Sequence, residues 1–248
     1  MRVLAILAAV VLLAAPITLD AQRGERGAPR AAREAAAIDL TGYWVSVIVE
    51  DWKWRMVTPN KGVFEAIPLN AEGKRVGENW DPAKDEAAGE QCRSYGAANI
   101  MRVPGRLHVT WQDAYTLRID TDAGTQTRLF HFGAAPPPEK PSWQGQSLVT
   151  WQDAPGGRGR GGARMGSLKV ATTNLRPGYV RKNGAPYSTK TVVTEYYDVN
   201  TWPNGEQWMT VTTKVEDPTF FNRQYLTTSD FKKLPNAAGW NPTPCSAR

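Results

Sequence analysis

Apolar and polar residues alternate with the two-residue period of a β-strand most cleanly over residues 106–132, RLHVTWQDAYTLRIDTDAGTQTRLFHF. Leu107, Val109 and Trp111 alternate with His108 and Thr110, and Leu117 and Ile119 alternate with Arg118 and Asp120. Leu129 follows a turn at Asp122, Ala123 and Gly124, so the stretch predicts a three-stranded antiparallel meander. Earlier, Tyr43, Val45, Val47 and Val49 alternate with Trp44, Ser46 and Ile48. That strand is apolar on both sides and is expected deep in the fold, with a second strand following through 52–57.

Further strands are predicted over 189–199, 206–215 and 224–232, the first two joined by an Asn204-Gly205 hairpin turn. Between them and the preceding strands, residues 175–187 read as a long Pro- and Gly-containing loop. Helical signals are short and polar. Asn70 caps one candidate helix, and Asp81 followed by Pro82 opens another, both expected on the surface at one end of the β structure. About ten short strands and almost no long helix predict an all-β fold. We expect an antiparallel β-barrel, because closure removes exposed sheet edges.

The hexapeptide VTWQDA occurs at 109–114 and again at 149–154. The first copy runs on into TLRI at 116–119 and the second into SLKV at 167–170, so each reads as strand, turn, strand. The Gly- and Arg-rich residues 155–166, PGGRGRGGARMG, then read as an insertion in a hairpin loop, where added length costs little. No helix follows to hold a phosphate at its N-terminus.

Residues 1–21, with Arg2, an apolar run and Ala21 at the expected cleavage point, read as a secretory signal peptide. The expectation is a periplasmic or secreted protein with no membrane insertion: a flexible basic arm at 22–37 and one domain at 38–248. The formal net charge of +6 lies mostly in the four arginines of 22–37 and in Arg158, Arg160 and Arg164. A basic docking face for nucleic acid is therefore not indicated. Cys92 and Cys245 are the only cysteines, and export predicts that they form one disulfide holding the C-terminal tail to the body.

Candidate chemistry centres on the meander. Aligning like faces puts His108, Thr110, Arg118, Asp120, Gln126 and Arg128 together, with His108 across from Asp120 and His131 on the opposite face. A carboxylate beside an imidazole makes an acid/base pair, and the arginines could hold an anionic group. The same residues also suit a solvated outer face of cross-strand ion pairs. With two histidines on different faces and no third, no metal site is expected. Ser147 in WQGQSLV lacks the second glycine of a nucleophile elbow. Ten tryptophans include Trp44 beside Tyr43 on the first strand, and Trp111 and Trp151 at matching repeat positions. Such enrichment suits stacking on a flat ligand or the filling of a wide barrel.

The segment LTGYW, residues 40–44, resembles the Gly-x-Trp opening strand of lipocalin-like (calycin) barrels. Over the runs YGAANIMRVPGRLHVTW and IDTDAGTQTRLFHFG, the chain is similar to an uncharacterised family of exported bacterial proteins. That resemblance implies export and a single domain, and it brings no reaction or catalytic residue. The leading expectation is a secreted binding protein for a small apolar or aromatic molecule in a Trp-lined barrel cavity, with Tyr43, Trp44, Trp111, Trp151, Arg118 and Arg128 as ligand contacts and no cofactor. The alternatives are a cofactor-independent hydrolase, lyase or isomerase using His108 and Asp120, and a glycan-binding module.

Overall fold

Residues 31–134, 136, 140–153 and 166–248 are described by a computed structural model. The strands are β1 (Gly42–Val47), β2 (Arg106–Trp111), β3 (Thr116–Thr121), β4 (Gln126–Phe132), β5 (Gln146–Asp153), β6 (Gly166–Thr173), β7 (Gly178–Arg181), β8 (Ala185–Tyr187), β9 (Val192–Thr201), β10 (Gln207–Glu216) and β11 (Tyr225–Leu234). Nine of them close a barrel in the order β1, β11, β10, β9, β6, β5, β4, β3, β2, while β7 and β8 form a separate hairpin. Eight of the nine barrel seams are antiparallel, and β4 with β5 is parallel. The expected barrel is present, with this one parallel seam added. β4 ends at Phe132 and β5 begins at Gln146, a separation too long for a tight antiparallel turn and long enough for parallel pairing.

Both copies of the repeat are antiparallel hairpins. Trp111 pairs with Leu117 in the first, and Trp151 with Leu168 in the second. Residues 155–165 of the insertion, like the leader and residues 22–30 of the arm, lie outside the described residues. Residues 31–37, expected in the arm, pack on the barrel. Ala32 and Ala37 are buried, the Arg33 amide donates to Ala114 (3.1 Å), and the Trp151 indole donates to the Ala32 carbonyl (3.0 Å).

Three helices lie on one side of the barrel in sequence: α1 (Trp52–Arg55), α2 (Ala71–Glu78) and α3 (Pro82–Ala87). Asn70 caps α2 by accepting from Gly73 N (2.8 Å), and Asp81 caps α3 by accepting from Ala83 N (3.0 Å), as the capping signals predict. The strand expected over 52–57 is instead the turn of α1. Asp51 adopts a left-handed conformation (φ 48°) that redirects the chain, and its carbonyl accepts from Trp54 and Arg55. Alternation of Trp, Lys, Trp and Arg mimics a strand, but it also fits one helical turn.

The 175–187 loop is likewise corrected: it contains the buried hairpin β7–β8. At its tip Gly184 has φ +84°, and the Trp80 ring would lie 2.2 Å from any Cβ there. Only glycine fits both that backbone and that contact.

Side chains alternate in and out around the barrel. The interior holds Trp44, Val109, Ile119, Phe130, Leu168, Val170, Tyr197, Val211 and Phe231, each at most 1% exposed. A second apolar cluster, including Phe64, Leu175, Val180, Tyr187 and Phe221, fills the end where β1 finishes and β2 begins. Helices and hairpin thus cap one end of the barrel.

Asp217 holds this cap to the strands. Its carboxylate accepts from Ser188 N (2.5 Å), the Thr191 hydroxyl (2.6 Å), Thr219 N (2.7 Å) and Phe220 N (3.0 Å). Burial alone would raise its pKa, but these hydrogen bonds outweigh burial and hold it below the ordinary carboxylate value. A depressed folded pKa contributes stability above the unfolded value near 3.9 and loses it as pH falls from there toward the folded value. Asp217→Asn is expected to cost about 2–4 kcal/mol at neutral pH, because an amide can accept on only one atom. Urea midpoints of parent and variant should converge as pH falls from the ordinary carboxylate value through the lowered folded one. A gap independent of pH would remove Asp217 from this role.

Candidate functional site

Three segments far apart in the chain meet at the capped end: α1, the residues just before β2, and the β7–β8 turn. Together they line a small cleft of about 40 Å³, open to solvent, with Trp54, Arg55, Asn99, Arg102, Arg181 and Lys182 among its walls. Four cations share it. Arg102 and Arg181 are 6% and 5% exposed, which is unusual for charged side chains.

The cations are fixed mainly by neutral acceptors. Arg55 donates through Nε to the Arg102 carbonyl (2.9 Å), and Arg181 donates to the carbonyls of Val63 (3.4 Å) and Glu65 (3.0 Å). Arg181 also lies over the Trp54 ring (5.4 Å), and the Lys182 ammonium donates to the Tyr95 hydroxyl (3.0 Å). Asp51 supplies one carboxylate, accepting from Arg102 Nη2 at 2.7 Å. Nη1 of Arg102 and both Nη atoms of Arg55 are buried and have no hydrogen-bond partner among the described residues.

Burial lowers the Arg55 pKa, and the neighbouring Arg102 charge lowers it further, to about 10. The Arg181 pKa is also lowered, first by burial. Both guanidiniums remain charged at neutral pH. Crowded cations with unpartnered donors favour an anion that would accept the free N–H groups and relieve the repulsion.

The meander is built differently from the sequence expectation. Its register does place His108 opposite Asp120. However, β4 pairs Asp120 with Thr127 and Ile119 with Arg128, so Arg128 and Phe130 enter the barrel while Leu129 and His131 face outward. Both histidines therefore share the outer face, against the expected split, and Arg128 leaves the set containing Arg118. Two large phenylalanines at 130 and 132 outweigh Leu129 in choosing the buried side.

On that outer face, Asp120 accepts two hydrogen bonds from Arg118 (2.7 and 2.8 Å) and one from the Thr127 hydroxyl (2.6 Å). Burial would raise its pKa, yet Arg118 and Thr127 hold it low. His108 stacks on Tyr43, with ring centroids 4.1 Å apart, and meets the edge of Trp240. The carboxylate is engaged by arginine, and the imidazole by aromatic rings.

Inside the barrel, Arg128 and Glu195 form a two-pronged ion pair at 2.9 and 2.6 Å, both side chains fully buried. Tyr197 donates to Glu195 (3.3 Å), and Thr172 and Ser147 share a hydrogen bond of 2.7 Å beside them. Burial would lower the Arg128 pKa, but the charge of Glu195 reverses this and raises it. Burial raises the Tyr197 pKa strongly, and the Glu195 charge adds to it. Ser147 is thus a packed core hydroxyl.

Trp44, expected at a ligand, is fully buried and donates to the Leu40 carbonyl (2.9 Å). Trp111 and Trp151 flank Phe132 at 5.6 and 5.2 Å, under the cover of residues 31–37. Among the described residues, no group of three His, Cys, Asp or Glu side chains is placed to hold a metal, and no helix is long and apolar enough to cross a membrane.

Arg55, Arg102, Arg181 and Lys182 were outside the sequence-level candidates. A faint signal exists at Arg102, which sits in NIMRVPG directly between the apolar Met101 and Val103; Arg181, between Val180 and Lys182, gives none. Fold and site together define a capped, closed β-barrel with a cationic cleft in its cap. No family profile, curated protein or solved structure matches the chain.

Proposed function

We propose that this is an exported barrel protein that binds a small anionic ligand in the cleft of Trp54, Arg55, Arg102, Arg181 and Lys182. The ligand carries a phosphate, sulfate or carboxylate group, and a flat or apolar portion rests against Trp54. The observation that carries this reading is the buried guanidinium donors of Arg55 and Arg102 that lack a partner. Small-molecule binding is retained from the sequence expectation, but the site moves from the barrel interior, which large side chains and the Arg128–Glu195 pair occupy, to the cap. The apolar leader and the Cys92–Cys245 disulfide support export to an oxidising compartment, and the Gly-x-Trp strand supports a lipocalin-like binding role.

The test is thermal unfolding of the intact protein with inorganic phosphate, phenyl phosphate and a chloride control. A site-specific ligand at a hundred times its Kd adds about 2.7 kcal/mol of stability. Phosphate is expected to raise Tm, and phenyl phosphate to raise it further. Arg55→Gln should leave the ligand-free protein at least as stable, because it relieves cation crowding, while weakening the phosphate response about tenfold. Equal responses to phosphate and chloride in the parent would overturn the assignment.

A further inference from the structure

Beside the cleft, residues 49–57 expose an unusual amount of apolar surface. Val49, Trp52, Met56 and Val57 are 61%, 65%, 62% and 67% exposed, four of the eight large hydrophobics exposed on the described protein. They occupy a nine-residue stretch with exposed Lys53, whose ammonium lies 4.4 Å over the Trp54 ring. Trp52 and Met56 are four residues apart across the turn of α1, so their side chains share one face. Concentrated apolar exposure of this kind marks a contact surface, unlike scattered single residues.

Charge identifies the partner. The same segment supplies Trp54 and Arg55 to the cleft, where Arg102, Arg181 and Lys182 add three more cations. Lys61, also exposed, follows closely. The carboxylates that act on Arg55 are Glu50, Asp51 and Asp230, and each is engaged: Asp51 accepts from Arg102, Glu50 from the Thr228 amide and hydroxyl, and Asp230 from the Thr210 hydroxyl. Glu65 is the exposed acidic residue of the neighbourhood. A protruding tryptophan and apolar side chains, flanked by lysine and set beside the cationic cleft, suit the boundary between phosphates and acyl chains of a bilayer.

We propose that residues 49–57 and the cationic cleft form one peripheral dock for an anionic phospholipid surface. Val49, Trp52, Met56 and Val57 enter the headgroup region, and the cleft receives a lipid phosphate through the free N–H groups of Arg55 and Arg102. The proposal rests on the anion reading of the cleft and assigns its ligand to a membrane headgroup. Docking is by side chains at the surface, with no segment spanning the bilayer.

The test is sedimentation of the intact protein with vesicles of phosphatidylcholine alone and of phosphatidylcholine containing phosphatidylglycerol. Binding to the anionic vesicles alone, weakening as salt is raised, is expected. Trp52→Ser combined with Met56→Ser should reduce vesicle binding about tenfold or more while the thermal response to free inorganic phosphate persists. Arg55→Gln should weaken both. A parent protein that responds to free phosphate but ignores anionic vesicles overturns the dock and leaves the anion site standing. Silence toward both overturns the two together. Vesicle binding unchanged by the serine substitutions, or equal on neutral vesicles, also overturns the dock, as would a dimer in solution that those substitutions dissociate.

Discussion

Replacing Arg128 by Met is expected to destabilise the protein by about 3–5 kcal/mol, because it strands the Glu195 carboxylate in a fully buried site. The Tyr197 hydroxyl at 3.3 Å would be its remaining donor. In a domain of this size the loss corresponds to a Tm drop on the order of 10 °C. Glu195→Leu alone should do comparable damage by leaving the guanidinium unpaired. The double variant, Arg128→Met with Glu195→Leu, should recover most of the loss, since well-packed apolar side chains often replace a buried pair without net cost. Urea unfolding of the four proteins measures this coupling directly. Additive losses in the double variant would show that the two side chains act independently and that the pair does not organise the core.

The pair also bears on which side of β4 faces inward. In TRLFHF, apolar residues fall on both parities, so alternation alone does not choose the face. Phe130 and Phe132 weigh toward the observed side, and Glu195 on β9, held by Tyr197 of the same strand with Thr172 of β6 alongside, supplies the partner for the Arg128 that this side carries inward. These partners are 44 to 69 residues away from Arg128 in sequence. No local pattern contains that information.

Most of the barrel was legible because its strands obey the two-residue period on their own. β2, β3 and the three long C-terminal strands, β9 to β11, fall close to their expected positions, and Gly205, with φ +85°, turns the chain between β9 and β10. Elements failed where tertiary contacts override a local signal. The β7–β8 hairpin contains Pro and Gly, as loops do, yet Val180, Ala185 and Tyr187 bury it against the cap. The chain through 52–57 alternates like a strand but turns at Asp51.

The candidate site was almost illegible for the same reason. Arg55, Arg102 and Arg181 are each ordinary locally, and only closure of the cap brings them together. The meander offered a conspicuous local cluster instead, and its charges satisfy one another on the outer face.

Removing the disulfide by Cys92→Ser with Cys245→Ser should carry the other large penalty. The bond joins residues 153 apart in sequence, with Cα atoms separated by 5.0 Å. In the chain-entropy account, a loop of that size corresponds to about 5 kcal/mol of constraint on the unfolded chain, and measured values commonly fall below this. The folded protein retains other links to the tail: Thr243 N donates to the Asp122 carbonyl (2.9 Å), Thr125 donates to the Thr243 carbonyl (2.9 Å), and Ala247 N donates to Glu86 (2.9 Å). These should hold the tail in place at neutral pH, so the double-serine protein is expected to remain folded, with the same secondary structure, but to unfold at a lower urea concentration by about 2–5 kcal/mol. If the constraint acts on the unfolded chain, dithiothreitol should lower the parent to the variant's midpoint and leave the variant unmoved. A reduced parent as stable as the oxidised one would show that the hydrogen bonds alone fix the tail.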